Sequence, residues 1–255
     1  MSSAVSVRIQ IESMLEARIP SALTPKVRPL QDCIQCGIKD IDRLEVFRRG
    51  TFVEVCGSSS SGRTTLLNGL LSRCTSAGEA AAILDVTDNF DPVSASQIGV
   101  VLSEVLWVRC GSTRRQGRPL SPLEQGLRAA ELLLQGGGFG LLALDLANVP
   151  VKDARQIPLT VWFKFRRAVE GTRTLFVVLA QQSNAGSSSA STLDVSQASV
   201  EIEETAECRI AKHVDGDCLI RTLRTRAQIA RGQMRKPARS VRSAGEFSTS
   251  LYGYS

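Results

Sequence analysis

The sequence predicts an α/β fold: a largely parallel sheet with helices on both faces, extended by antiparallel strands on its C-terminal side. Three observations carry this. A strand-like run, Thr51 to Val55, leads through Cys56–Thr65 (CGSSSSGRTT) into an apolar helical run, Leu66 to Leu71, which is the strand–loop–helix order of a βα unit. Further apolar runs at Ala80–Val86, Val105–Cys110, Phe139–Asp145 and Thr174–Ala180 alternate with helical stripes, Leu123/Leu127/Ala130/Leu134 and Ile157/Val161/Phe165/Val169. Toward the C-terminus, Ser199–Ile210 and Cys218–Ile229 alternate apolar and polar residues about Asp215-Gly216-Asp217, as two antiparallel strands do.

A chain of 255 residues suits one such domain with short appendages, and 43% hydrophobic with 22% charged residues is an ordinary globular composition. No apolar run approaches the length that spans a bilayer, and the first residues lack the pattern of a secretory signal, so the expected location is the cytoplasm. Seven cysteines, an odd number scattered through strand-like and helix-like segments, make no disulfide framework. Cys33-x-x-Cys36 has no second pair and the chain has one His, too few ligands for a closed zinc site. The net charge of +6 is concentrated between Arg221 and Arg242, where Arg224, Arg226, Arg231, Arg235, Lys236 and Arg239 have no acid among them.

In chain order, Val7, Ile11 and Leu15 mark one face of a short helix that Pro20 stops, and Ser21–Gln31 with Pro25 and Pro29 reads as a linker. The domain boundaries expected are therefore 1–33 for helix and linker, 34–230 for the α/β domain and 231–255 for a basic tail without structure. Ile34–Asp42 reads as a turn and a short helix. The loop after the first strand has Gly57 and Gly62 at the spacing that lets successive backbone N–H groups face an anion at a helix N-terminus. Ser58, Ser59, Ser60 and Ser61 lie between them. Arg63 stands where a Lys usually reaches the β/γ-phosphates, and Thr64 keeps the hydroxyl that holds Mg²⁺. A plain serine-rich loop before a helix is the bland alternative.

The helix after the loop should end near Ala77 with Gly78 as its stop. The next strand ends in Asp85, Thr87, Asp88, Asn89 and Asp91, at the sheet edge where α/β proteins place ligands. Gly111–Pro119, with Arg114, Arg115 and Arg118, reads as a polar connection. Asp145 ends an apolar strand, either as a magnesium-ordering acid or as a cap for the next turn of chain. Lys164, Arg166 and Arg167 lie off their helix's apolar stripe, as a solvated face does. Gln181 and Gln182 end the next strand, and Asn184–Ser191 is a flexible loop by composition.

The order of these signals resembles the RecA-type recombinases across roughly residues 34 to 225: the Gly37–Asp42 segment, the strand ending in Glu54, GSSSSGRTT, DVTDNFDP, LLALD and LAQQ. The resemblance implies a RecA-like P-loop NTPase core. It further implies that Gly57–Gly62, Arg63, Thr64 and Thr65 hold ATP or ADP with Mg²⁺, that Asp145 assists the metal, that Gln181 senses the γ-phosphate, and that Gln182–Leu193 is a loop contacting single-stranded DNA. The departures are equally specific. Thr87 occupies the catalytic glutamate's place, Asp88 is displaced by one residue, Arg63 replaces Lys, Ala147–Lys152 is short for a first DNA loop, and the compact C-terminal domain is missing.

In this the chain is similar to the short ImuA-type proteins of bacterial mutagenesis cassettes. The function expected is nucleotide and weak single-stranded DNA binding in repair and the SOS response, with weak or no hydrolysis. Partners would be a translesion polymerase, a RecA-type protein or further copies of the chain, with no membrane. An active DNA-dependent ATPase recombinase and an interaction module with a vestigial site are the alternatives.

Overall fold

The computed structural model describes residues 32–111, 120–203, 219–232 and 244–250. The expected N-terminal helix and linker, the arginine-bearing connection after Gly111, the Asp215–Asp217 turn and the basic residues 235–242 lie outside the described residues. The chain divides into Met1–Gln31 and Asp32–Ser255, and only the second unit is described.

A sheet of eight strands is ordered β3-β2-β4-β5-β1-β6-β7-β8. Its strands are β1 (Phe52–Cys56), β2 (Ala81–Asp85), β3 (Val105–Arg109), β4 (Leu141–Asp145), β5 (Leu175–Ala180), β6 (Ser191–Glu203), β7 (Leu219–Gly232) and β8 (Ala244–Ser250). β1 to β6 run parallel, while β7 and β8 are antiparallel additions. β1, β2, β4 and β5 are buried along their whole length, which is why they read as continuous apolar runs rather than alternating ones.

Side chains still alternate between the two faces. Val53, Val55, Ile83, Ala143 and Val177 pack with Leu66, Leu70 and Leu71 of α2 (Arg63–Ser76). Phe52, Leu84, Leu142, Leu144 and Phe176 pack with α4 (Pro122–Gly136) and α6 (Leu159–Val169). There Phe52 stacks on Trp162 at 5.8 Å, and Phe165 meets Phe176 edge-on at 5.4 Å. Each such side chain contributes about 1.5–3 kcal/mol on burial. Three short α-helices, α1 (Lys39–Asp42), α3 (Pro92–Gln97) and α5 (Val151–Ala154), and 3₁₀ turns at Leu102–Glu104 and Gly186–Ser188 lie between the larger elements. α1 is held by Asp42, whose carboxylate accepts from Cys36 N at 2.7 Å and Gly37 N at 3.1 Å. α3, capped by Asp91, and α5 carry no apolar stripe long enough to be read from the sequence.

Two expectations are corrected at the C-terminal side. The strand read as starting at Ser199 starts at Ser191, because Ser191–Asp194 pair with Val53–Cys56 of β1 on one side and with β7 on the other. The tail read as having no structure contributes β8, since Ala244–Ser250 complete the open edge of β7. A pairing partner supplied from elsewhere in the chain leaves no trace in local composition. Among the described residues, no helix is long and apolar enough to cross a membrane.

Candidate nucleotide site

The loop Gly57–Gly62 joins the C-terminal end of β1 to α2, near the middle of the sheet and at the carboxyl edge of its parallel strands, where open α/β sheets bind ligands. Gly57 is required by space, for a Cβ there would lie 2.2 Å from Val195 O of β6 and 2.6 Å from Ser61 Oγ. Gly62, with φ +94°, precedes the helix, and Ser60 also has positive φ, +59°. Such alternation turns successive N–H groups toward one concavity. The first N–H groups of α2 have no intrahelical partner, since the opening bond of the helix runs from Leu66 N to Gly62 O. Ser58, Ser59, Ser60 and Thr64 are exposed and Thr65 half-buried, whereas Ser61 is buried with its hydroxyl bonded to nothing. Unpaired N–H groups, an orphan hydroxyl and a helix N-terminus form a donor set that fits phosphate.

Arg63 is placed differently from a lysine reaching over the loop. It is 6% exposed, and its Nη1 donates to Ala180 O at 2.7 Å and, at 3.5 Å, to Ala147 O. Gly57 N donates to the same Ala180 O at 3.2 Å. The guanidinium therefore ties the loop to the ends of β4 and β5. Burial lowers its pKa, with Asp145 and Cys56 acting the other way. Burial likewise pushes the Cys56 thiol up.

Asp145 is 8% exposed and accepts from Ala147 N at 2.8 Å. Burial raises its pKa, Asp85 adds to the rise, and Ala147 N and Arg63 oppose it. A desolvated carboxylate with a threonine hydroxyl is a donor pair suited to Mg²⁺, which takes one or two protein oxygens and completes its shell with phosphate and water. Asp145 and Thr64 would hold that ion, which supplies charge neutralisation on the phosphates. Gln181, half-buried after β5, donates from Nε2 to Val149 O at 3.3 Å, so it bridges the segments after β4 and β5.

The acids at the end of β2 are already engaged. Asp85 is fully buried and accepts from Asn89 N at 3.0 Å, Phe90 N at 2.9 Å and Trp107 Nε1 at 3.2 Å, so it shapes the turn. Asp88 has φ +57° and pairs with Arg109 through bonds of 2.7 and 2.6 Å. Those bonds hold its carboxyl below the usual range. Arg109 in turn lies 4.8 Å over the Trp107 ring. Thr87 accepts from Asn89 Nδ2 and is half-buried. The structure thus joins the loop, Arg63 and Asp145, links Gln181 to the strand ends, and holds Asp88 on Arg109 of β3.

Glu54 was read from the sequence only as the end of a strand and given no role, whereas β1 runs on to Cys56. It is fully buried in β1, accepting from Ser183 Oγ at 2.7 Å, Asn184 N at 2.8 Å and Ala185 N at 3.0 Å. With a short 3₁₀ turn at Gly186–Ser188 and buried Ser188 and Ser189, these bonds give Asn184–Ser191 a defined course instead of the flexible one its composition suggests. The available signal was an acid in the middle of the apolar run FVEVC, because a buried carboxylate needs donors.

Residues 35–154 match the RecA N-terminal domain family. The chain is 35% identical over 99 residues to Protein RecA of Borrelia turicatae (strain 91E135), covering 39% of this chain and 24% of that protein. It is 33% identical over 97 residues to Protein RecA of Methylococcus capsulatus, covering 38% of this chain and 25% of that protein. The match thus spans about a quarter of the length of these relatives. Over residues 35–154 the chain is thus similar to the RecA N-terminal domain, and its mainly parallel sheet is consistent with that likeness.

Proposed function

We propose that this chain is a RecA-like protein of bacterial DNA repair, of the short ImuA type, that holds ATP or ADP with Mg²⁺ at Gly57–Thr65 and hydrolyses it slowly or not at all. One observation supports the reading: at the end of β2, Asp85 accepts from three donors and Asp88 is paired with Arg109, while the resemblance would put Thr87 in the place of a catalytic carboxylate. Thr87 has no carboxylate to orient water on a γ-phosphate, Asp85 and Asp88 are engaged with other groups, and phosphoryl transfer depends on that orientation; Asp88 is the replacement carboxylate that fast turnover would point to. Bound nucleotide then serves to order the segments after β4 and β5, through Arg63 and Gln181. In the SOS response of the cytoplasm, this would set contacts with a translesion polymerase, a RecA-type protein or further copies of the chain. Single-stranded DNA would bind weakly and without sequence preference through basic residues of the C-terminal side.

A second reading, an interaction module with a vestigial site, is favoured by Arg63, whose guanidinium is committed to carbonyl groups rather than to the loop. Titration with labelled ATP and ADP, followed by turnover with and without single-stranded DNA, separates the readings. Binding with little turnover is expected. Turnover at the level of an active recombinase overturns the proposal in favour of a DNA-dependent ATPase, and no binding favours the interaction module.

A further inference from the structure

Arg63, the cation next to the phosphate loop, is bound to main-chain carbonyls. It is 6% exposed, and its Nη1 donates to Ala180 O at 2.7 Å and to Ala147 O at 3.5 Å, the first at the end of β5 and the second just past β4. Ala180 O also accepts from Gly57 N at 3.2 Å, so one carbonyl fixes both the start of the loop and the guanidinium. The two segments that Arg63 bridges are tied to each other as well: Gln181 Nε2 donates to Val149 O at 3.3 Å, and Arg155 Nη2 donates to Gln182 Oε1 at 2.6 Å. Turning Arg63 toward a phosphate would break a buried, charge-assisted bond, roughly twice as strong as a neutral one.

The parts of such a loop divide by phosphate. Backbone N–H groups cradle the α- and β-phosphates, while the cation after the second glycine reaches the β- and γ-phosphates. The first part is present here: Ser60 and Gly62 have positive φ, and the opening N–H groups of α2 have no intrahelical partner. The second part is engaged on Ala180 and Ala147. A diphosphate meets the backbone donors the loop offers, whereas a γ-phosphate brings added negative charge to a place whose usual cation is held elsewhere. We propose, resting on the reading of Gly57–Thr65 as a nucleotide site, that Arg63 makes this site selective for a nucleoside diphosphate over the triphosphate. Arg63 then determines specificity by staying on the strand ends. A lysine is shorter and ends in a compact ammonium, so Arg63→Lys releases Ala180 O and returns the cation to the phosphates.

Calorimetric titration of the full chain with ADP and with the non-hydrolysable triphosphate AMP-PNP, both with Mg²⁺, tests this. Wild type should bind ADP several-fold more tightly. Arg63→Lys should raise the affinity for AMP-PNP relative to ADP by about tenfold or more, as expected for one charge-assisted hydrogen bond gained. AMP-PNP binding as tightly as ADP or more so in wild type overturns the proposal, and would mean that a cation from elsewhere in the chain or from a second copy meets the γ-phosphate. An unchanged ratio in Arg63→Lys also overturns it. Arg63→Met is a second variant, keeping an unbranched stem without the charge, and should weaken both nucleotides alike; a loss confined to AMP-PNP would place Arg63 on the γ-phosphate and overturn the proposal. If neither nucleotide binds to wild type, the nucleotide site itself is refuted, whereas ADP binding without preference refutes the selectivity alone.

Discussion

Removing the carboxylate of Glu54 should loosen the segment after β5 before it alters anything else. Three donors converge on this fully buried side chain, two of them backbone N–H groups, at 2.7, 2.8 and 3.0 Å. In Glu54→Ala all three lose their acceptor, and at about 1–3 kcal/mol for each buried group left unsatisfied the loss reaches about 3–6 kcal/mol, allowing for relief of the buried charge. That is a large fraction of the roughly 5–15 kcal/mol of a typical domain, so the alanine variant approaches unfolding. Glu54→Gln is the finer probe. Its amide oxygen can still accept from Asn184 N and Ala185 N, both of which bond the same carboxylate oxygen, and its NH₂ can meet the Ser183 hydroxyl as a donor. Only the charge assistance is lost, about 1–2 kcal/mol. Urea denaturation measures the loss, and hydrogen exchange at the Asn184 and Ala185 amides locates it. Stability of Glu54→Ala within about 1 kcal/mol of wild type, or unchanged exchange at those two amides, would refute the reasoning.

Arg63→Ala should weaken ATP binding several-fold, since it removes a charge-assisted tie between the loop and Ala180; unchanged affinity in an equilibrium titration sinks the assignment of the site. Thr87→Glu should raise ATP turnover, by up to about 10²-fold if the new carboxylate reaches the water, and a flat steady-state rate would count against the Thr87 explanation. Asp145→Asn should stabilise the protein at neutral pH. Its carboxyl pKa is raised on folding, so the folded state binds the proton more tightly, and the penalty of the ionised acid grows as pH rises from the ordinary carboxylate range through the raised value. Denaturation midpoints of wild type and variant should therefore converge in acid and separate toward neutrality. Neutralising Arg235, Lys236, Arg239 and Arg242 together should flatten the salt dependence of single-stranded DNA binding, by about one unit of slope for each phosphate that is no longer neutralised. Point changes are the better test than truncation, because deletion past Gly232 would also remove β8.

The elements that could be read from the sequence are those whose burial is local in origin. β1, β2, β4 and β5 are covered on both faces and so appear as unbroken apolar runs, and α4 and α6 each bury one stripe. The glycine spacing of the loop was visible in the sequence, but its reasons differ: Gly62 takes a positive φ of its own, whereas Gly57 is required by Val195 O of β6, a neighbour only the fold supplies. Tertiary structure alone decided which partners the polar side chains would take. Nothing near Arg63 in sequence foretells Ala180 O, nothing near Asp88 foretells Arg109, and Glu54 meets donors from residues 183 to 185 because β1 and β5 are neighbours. The same holds for β8, whose hydrogen bonds come from the open edge of β7. Apolar burial depends on a residue's own periodicity, whereas a hydrogen bond needs a particular group at about 3 Å, and only the folded chain brings distant groups that close.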